Sequence, residues 1–281
     1  MLPDPCYILS DAHLGAASAE VEREVLRFLR ALQGKAASLI INGDLFDFWF
    51  EWKTVVPRRG VRAVAALADL RESGTEILWI AGNHDCWGGE VLRDDYGLAY
   101  HVGPWEGSIA GWRTRIEHGD GLREVEDRKY RRLRAVLRHP WSIRAFRMLH
   151  PDMASRLALG SSQASRVHRA PDNGEGLRVV ARTQLDKDRS LDLVVFGHSH
   201  VAALERSATG GVYANAGSWL EAPTYLKITP GAVELMRWDA RGSADGVRLD
   251  AVDRRAEKPL GDTQELIRGV GRDVPPDRGR A

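Results

Sequence analysis

Residues 38–47 have the sequence SLIINGDLFD, in which an apolar run at 39–41 is followed by a glycine turn and two carboxylates. The run predicts a buried β-strand at 38–42, since short apolar segments bounded by turns are typical of the interior of a sheet. Apolar residues at helical spacing occupy 20–32 and 61–70, and further strands are predicted at 6–10 and 76–81. Strands that alternate with helices indicate parallel βαβ units and therefore an α/β fold.

A polar cluster follows each of these strands, and two similar clusters follow later ones. The clusters are DAH at 11–13, GDLFD at 43–47, GNHD at 82–85, HGD at 118–120 and GHSH at 197–200. Ligands bind at the carboxyl ends of strands in open α/β sheets, so we expect the clusters to converge at one edge. Carboxylates, amides and imidazoles are suitable ligands for divalent metals, and five clusters in order outweigh the alternative that each is an ordinary loop. The sequence therefore predicts a site for two metal ions about 3.5–4 Å apart, with Asp44 in the central turn as the shared ligand.

The overall composition excludes several classes of protein. With 43% hydrophobic and 28% charged residues among 281, the chain is not disordered throughout, and no apolar stretch approaches the roughly 20 residues that span a bilayer. Two cysteines, Cys6 and Cys86, provide no disulfide framework, and the N-terminus does not have the pattern of a secretory signal. We therefore expect a cytoplasmic protein, and a net charge of +1 gives it no overall preference for polyanions.

The second half of the chain has shorter strand patterns and one long basic helical segment. Strands are predicted at 108–110, 112–117, 193–196, 201–206, 212–215, 225–228 and 233–238. The helical segment at about 125–169 is interrupted by Pro140 and Pro151, which should end helices, with Ser142 and Asp152 as caps of the next ones. We predict one domain at 1–245 with a helical lid inserted at about 122–170, and a loosely ordered tail at 246–281.

Apolar stripes on the predicted lid helices admit two interpretations. The stripe of the first helix consists of Tyr130, Leu133, Val136 and Leu137. Such a face, bordered by arginines, would either receive acyl chains and meet anionic lipid or pack on the catalytic core, and both interpretations stay open here. Core packing is expected for Trp141 and Phe146, and the dense aromatic run at 46–52 is expected to form a wall of the substrate cleft.

The ordered set of clusters resembles the calcineurin-like metallophosphoesterase superfamily over residues 11–200. The resemblance implies a four-layer α/β sandwich, in which two mixed β-sheets are flanked by helices, and two Mn²⁺ ions, with other divalent metals as alternatives. It implies that Asp11, His13, Asp44 and His200 hold one ion, and that Asp44, Asn83, His118 and His198 hold the other. His84, oriented by Asp85, would contact the phosphate or protonate the leaving group, while Asp47 and Asp120 would brace their neighbours.

Within that superfamily, three longer segments are similar to UDP-2,3-diacylglucosamine hydrolases of lipid A biosynthesis. They are GDLFDFWFEW at 43–52, HGDGLREVEDRKYRRLR at 118–134 and HPWSIRAFRMLHPDMASRLA at 139–158. Those enzymes cleave the pyrophosphate of UDP-2,3-diacylglucosamine at the α-phosphate, releasing UMP and 2,3-diacylglucosamine 1-phosphate. The resemblance implies a lipid-linked sugar nucleotide as substrate and a peripheral position on the cytoplasmic face of the inner membrane. It also implies that Asp127, Ser161 and Ser165 face the glucosamine phosphate.

One position departs from that family. Its best-studied branch has Arg where this chain has His84; Arg offers a permanent bidentate fork for phosphate, whereas His can act as an acid or a neutral donor. Two alternatives therefore stay open: a metallophosphoesterase of another substrate, such as a nucleotide, another phosphodiester or a nucleic-acid end, and a non-catalytic scaffold. The apolar lid argues against a small soluble substrate, and the complete set of metal ligands argues against a non-catalytic scaffold. We expect neither a nucleic-acid partner nor an obligate protein partner.

Overall fold

Two mixed β-sheets lie face to face in the computed structural model, which describes residues 1–167, 172–239 and 246–254, without the side chains of 161–167. The strands are β1 Cys6–Leu9, β2 Ser38–Asn42, β3 Glu76–Ile80, β4 Ala99–His101, β5 Trp105–Ile109, β6 Trp112–Ile116, β7 Leu193–Phe196, β8 Ala203–Arg206, β9 Val212–Asn215, β10 Thr224–Ile228, β11 Ala232–Arg237 and β12 Val247–Asp253. The larger sheet has the order β12-β11-β10-β1-β2-β3-β4, and the smaller has the order β5-β6-β7-β9-β8. Strands β1 to β4 are parallel, as are β6, β7 and β9.

Helices cover both outer faces of this pair of sheets. They are α1 Ala19–Ala31, α2 Val61–Glu72, α3 Arg128–Leu137, α4 Pro140–Arg147, α5 Pro151–Val167 and α6 Glu175–Lys187. Side chains alternate along each strand, so Ile8 and Ile40 enter the core between the sheets, while Leu9 and Ile41 pack under α1 and α2. Helix α6 packs on the opposite face of the smaller sheet. The predicted four-layer sandwich is therefore confirmed.

The C-terminal boundary of the domain differs from the prediction. Strand β12 pairs antiparallel with β11 at the edge of the larger sheet, so the boundary predicted at 245 is wrong and the sheet continues to Asp253. An edge strand buries little of its surface, and the largely exposed side chains of β12 resemble those of a polar tail. The part of the predicted tail from residue 255 onward lies outside the described residues.

Three helices, α3, α4 and α5, lie within the predicted lid. Helices α3 and α4 end at Leu137 and Arg147, just before Pro140 and Pro151, as predicted. Each proline is also the first residue of the next helix, because the first N–H of a helix has no internal acceptor and proline loses nothing there. His139, and not Ser142, caps α4 by accepting a hydrogen bond from the Trp141 amide at 3.3 Å. Within the described part of the chain, every helix is too short or too polar to cross a membrane.

Candidate metal centre

The five polar clusters meet where β1, β2, β3, β6 and β7 end. Main-chain hydrogen bonds join the turns that follow these strands. The Asp11 amide donates to the Gly43 carbonyl at 3.1 Å, and the His13 amide donates to the Asp44 carbonyl at 3.0 Å. In the smaller sheet, the Gly197 amide donates to the His118 carbonyl at 2.8 Å. The backbone of neighbouring turns is therefore fixed independently of any ligand.

Most of the predicted ligands occupy an unfavourable backbone conformation. Seven non-glycine residues in the described chain have positive φ, and five of them are predicted ligands: Asp11 (52°), His13 (45°), Asp44 (52°), His198 (60°) and His200 (64°). Left-handed backbone costs an L-residue roughly 1–2 kcal/mol. Such strain persists only where the surroundings enforce it, and its concentration at these turns indicates a functional site.

Glycines allow the turns to approach each other closely. A Cβ added to Gly82 would lie 2.5 Å from the amide nitrogen of Asp44, and one added to Gly197 would lie 2.7 Å from Oδ2 of Asp11. Neither distance is sterically allowed, so only glycine fits at these two positions. The glycines of the GNHD and GHSH clusters thus bring their histidines against the two central aspartates.

Ligand atoms from the clusters form three adjoining groups. In each group, one nitrogen or carboxylate oxygen per residue lies within 4.8 Å of the others. The groups are Asp11 with His13 and His200, His13 with Asp44 and His84, and Asp44 with His118 and His198. The first group lies within one predicted ion site and the third within the other, while Asp44 belongs to the second and third groups and meets His13 of the first site in the second. Within the described residues, the structure thus brings six of the seven predicted ligands together, all except Asn83.

Several buried atoms at this centre fit a divalent cation. Among the described residues, Oδ1 of Asp11, Oδ1 of Asn83 and Nε2 of His118 are buried without a hydrogen-bond partner. Nδ1 of His118 lies 2.9 Å from the Asn42 carbonyl, so this nitrogen donates the hydrogen bond and Nε2, 3.2 Å from Oδ2 of Asp44, is the nitrogen left to bind a cation. Nε2 atoms of His13 and His200 face each other at 3.2 Å. Unpaired buried acceptors are costly, and a bound cation would satisfy them.

The charges at the centre perturb each other strongly. Burial alone would raise the pKa of Asp11, but the imidazoles of His118 and His200 outweigh it and lower that pKa to about 2. Burial would also raise the pKa of Asp44, but the imidazoles of His118 and His84 outweigh it and hold that pKa well below its usual value. Burial opposes protonation of His118, yet the carboxylates of Asp44 and Asp11 raise its pKa to about 10. A proton and a cation therefore compete for the same nitrogen.

His84 is positioned by the main-chain carbonyl of Asp47 and not by the predicted carboxylate of Asp85. Its Nδ1 lies 3.0 Å from the Asp47 carbonyl and 3.8 Å from Oδ1 of Asp47. The predicted orienting residue, Asp85, is fully buried and accepts hydrogen bonds from the amides of Gly82 at 2.8 Å and Leu45 at 2.9 Å. Asp85 thus joins two ligand-bearing turns to each other, and the prediction that it orients His84 is wrong.

Asp120 connects the metal centre to the lid. Its Oδ2 accepts hydrogen bonds from the Tyr130 hydroxyl at 2.9 Å and from Arg134 at 3.2 Å. Arg138 donates to the same oxygen at 3.3 Å and to the Gly82 carbonyl at 3.2 Å. All three donors lie on α3 or at its C-terminal end, so this helix is anchored beside the turn of His118. The predicted bracing role of Asp120 agrees with these contacts.

The predicted substrate contacts on the lid do not form a site in the described residues. The Asp127 carboxylate is buried and paired with Arg123, with an N–O distance of 2.8 Å. Ser161 and Ser165 fall within the bounds of α5, but their side chains lie outside the described part of the structure. Their contact with the glucosamine phosphate stays a prediction.

The aromatic run after GDLFD joins the lid to the catalytic domain. Phe48, Phe50 and Trp52 are buried and pack with the half-buried Phe146 of α4 and with Ala154 of α5. Beyond them, α4 and α5 border an apolar cavity of about 580 Å³ that is open to solvent, which we call the lid cavity. Its lining includes Trp87, Leu137, Ile143, Phe146, Leu149 and Leu157. Core packing is confirmed for Phe146, whereas Trp141 is 70% exposed and the same prediction for it is wrong.

A second cavity, of about 590 Å³, lies between α5 and the segment that precedes α2. We call it the arginine cleft, because Arg58, Arg59 and Arg156 line it. These three arginines were not among the predicted functional residues. The only hint of this site in the sequence is the adjacent pair Arg58 and Arg59, which lies between a proline and a glycine. Arg156 is distant in sequence and joins the pair only through the fold.

Comparisons with known proteins agree with this geometry. Residues 5–202 match the calcineurin-like phosphoesterase family. A UDP-2,3-diacylglucosamine hydrolase of Porphyromonas gingivalis is 31% identical over 216 residues, which are 69% of this chain and 82% of that protein. Proteins of the same name from Stenotrophomonas maltophilia and Salmonella typhi are 30% and 28% identical, over 81% of this chain and 96% of each relative. Because the family match spans most of the chain and includes all five polar clusters, the chain belongs to the calcineurin-like phosphoesterase family and is a metal-dependent hydrolase.

Proposed function

We propose that the chain hydrolyses the pyrophosphate of UDP-2,3-diacylglucosamine to UMP and 2,3-diacylglucosamine 1-phosphate. The observation that carries this proposal is the lid cavity, an apolar, solvent-open cavity of about 580 Å³ whose wall includes Trp87, close in sequence to the GNHD turn. A small polar phosphoester would leave such a chamber without an occupant, whereas acyl chains gain free energy by entering it. The curated relatives that carry this substrate in their name support the same conclusion.

The metal ligands of the proposal extend the two matching groups by one residue each: Asp44 joins the first and Asn83, whose Oδ1 is buried without a hydrogen-bond partner, joins the other. Asp11, His13, Asp44 and His200 would hold one divalent cation, and Asp44, Asn83, His118 and His198 would hold the second, with Mn²⁺ as our choice of metal. When bound, such cations supply Lewis-acid polarisation of the phosphoryl group. The hydrogen bond from His118 to the Asn42 carbonyl keeps Nε2 directed at the centre, so the ring need not reorient on binding.

His84 acts on the phosphate in this proposal. Its contact with Asp47 holds Nδ1, and its Nε2 faces the centre, 3.9 Å from Oδ2 of Asp44. From there Nε2 would donate a hydrogen bond to a phosphoryl oxygen or a proton to the departing sugar phosphate. Both roles need a proton on Nε2 in addition to the one that Nδ1 donates to the Asp47 carbonyl.

The lid supports a lipid substrate on its outer surface as well. On α3, Leu133 and Val136 are 52% and 59% exposed, so these two residues of the stripe do not pack on the core. On α4 and α5, Trp141, Met153 and Leu157 are also exposed. Exposed apolar residues interspersed with arginines are typical of a helical surface that lies on an anionic bilayer. We therefore place the chain at the cytoplasmic face of the inner membrane, where the acylated substrate resides.

Hydrolysis of three compounds with added Mn²⁺ tests the proposal. They are UDP-2,3-diacylglucosamine, UDP-N-acetylglucosamine and an aryl phosphodiester. Release of UMP from the acylated sugar nucleotide, and not from the unacylated one, is the expected result. Cleavage of the aryl diester with the acylated compound untouched would overturn the substrate and favour the broader metallophosphoesterase alternative that His84 raises.

A further inference from the structure

Helix α5 separates two cavities of opposite character. Asp152, Ser155, Arg156 and Leu159 line the arginine cleft, whereas Leu157 and Ala158 line the lid cavity. Residues three and four positions apart share one face of a helix, so the first set forms a single stripe directed away from the second. The two cavities therefore lie on different sides of one lid helix.

The arginine cleft adjoins the metal centre. Its lining includes Gly15, which follows the turn of His13, and Phe46 and Phe48, which flank Asp47. Asp47 itself lies 3.5 Å from Nδ1 of His13. Arg59 donates a hydrogen bond to the Gly15 carbonyl, so one guanidinium is held at the border between the cleft and the centre.

The lining of the cleft selects a compact anion that carries an apolar ring. Three guanidinium groups face one carboxylate, Asp152, and guanidinium forks match phosphate oxygens. Leu14, Pro57 and Leu159 add apolar surface against which a planar base can lie. Acyl chains would leave these charges without counterparts, and the volume of about 590 Å³ is within the usual range for small-molecule sites.

We propose that the arginine cleft binds the nucleoside monophosphate half of the substrate. This inference rests on the proposed function, because a sugar nucleotide with acyl chains has one polar anionic half and one apolar half. The lid cavity then receives the acyl chains, the metal centre holds the pyrophosphate, and the cleft holds the UMP half on the opposite side of α5.

Calorimetric titration of the metal-loaded protein with UMP tests the cleft. The variant carries Arg58→Gln and Arg156→Gln together, since both side chains are exposed and neither bonds to the turn of His13. Arg71→Gln is the matched control, because Arg71 is an exposed arginine in the last turn of α2, away from the cleft. Losing charge-assisted hydrogen bonds should weaken UMP binding about tenfold in the double variant. The control should bind UMP as the wild type does, and equal folding of all three is checked by thermal unfolding.

Titrations with N-acetylglucosamine 1-phosphate and inorganic phosphate distinguish the possible occupants. Equal UMP affinity in the double variant and the wild type would overturn the proposal. A loss of affinity for the sugar phosphate but not for UMP would assign the cleft to the other half of the substrate. An equal loss for inorganic phosphate and UMP would reduce the cleft to a phosphate site and overturn the nucleoside part.

The same protein separates this inference from the proposed function. One outcome is that the wild type hydrolyses UDP-2,3-diacylglucosamine but binds UMP no more tightly than the double variant. That result would support the proposed function and reject the cleft as the UMP site. Arginine-dependent binding of UMP without hydrolysis of that substrate would reject the function and retain a nucleotide site.

Discussion

Truncation of Phe146 to alanine should loosen the lid without unfolding the sheets. The ring centroid of Phe146 lies 4.9 Å from that of Phe50, and 6.2 Å from those of Phe48 and Trp87, so it joins α4 to the catalytic domain. Truncating a fully buried Phe costs about 3–5 kcal/mol; because Phe146 is only half-buried, we expect about 2 kcal/mol against docking of the lid.

Amide hydrogen exchange measures this loss where it occurs. A change of about 2 kcal/mol corresponds to a roughly 30-fold larger open population, so the amides of α4 should exchange about 30-fold faster. Amides of the central strands β1 and β2 should keep their rates. Trp141→Ala is the matched control, because it also removes an aromatic ring from α4. Trp141 is 70% exposed, and its ring packs against the neighbouring Arg144 guanidinium, 5.4 Å from the ring centroid.

The same pair of variants tests the acyl-chain assignment. If the lid cavity receives acyl chains, the preference for UDP-2,3-diacylglucosamine over the aryl diester should fall in Phe146→Ala and stay in Trp141→Ala. Equal exchange rates in the two variants would refute the inference that Phe146 anchors the lid. Faster exchange with an unchanged preference would retain the anchor and reject the cavity as the acyl-chain site.

Three further predictions concern the metal centre and the core. Asp44→Asn should lose both cations, and two cations per chain after dialysis would show that Asp44 is not shared. Gly82→Ala should lower both the metal content and the thermal midpoint, because its methyl group would lie 2.5 Å from the Asp44 amide nitrogen. Overpacking of this kind costs about 1–3 kcal/mol, so an unchanged midpoint would contradict this account. Burial raises the pKa of the Cys6 thiol to about 12, so iodoacetamide at pH 8 should alkylate it only after unfolding, and mass spectrometry of the native protein would expose any earlier reaction.

The position of the metal ligands was predictable because sequence and topology agree there. An apolar strand at 38–42 followed by Gly43 and Asp44 fixes where a side chain leaves the sheet, and parallel strands bring such ends together. Residue type then indicates the chemistry. The left-handed backbone of Asp44 and His198 was not predictable, because Asp and His adopt it more often than other non-glycine residues but still at few positions, and here the packed turns enforce it.

The partner of His84 shows why adjacency in sequence misleads at a tight turn. Successive side chains of a turn diverge, so Asp85 points to the amides of Gly82 and Leu45 although it follows His84 directly. Asp47 reaches His84 from the neighbouring turn, at a sequence distance that no local pattern records. The arginine cleft has the same origin, since Arg156 meets Arg58 only when the lid folds over the domain.

The backbone strain and the main-chain hydrogen bonds of the ligand turns imply different effects for substitutions that remove a ligand charge and for substitutions that alter the turn backbone. Five left-handed residues at roughly 1–2 kcal/mol each are an appreciable cost against the marginal stability of a domain. The main-chain bonds from Asp11 to Gly43 and from His13 to Asp44 enforce this conformation, and neither involves a ligand side chain. Removing the charge of Asp44 should therefore abolish cation binding and leave the turns in place. Adding a methyl group at Gly82 acts on the backbone itself, so it should remove the cations by displacing the turn that presents them.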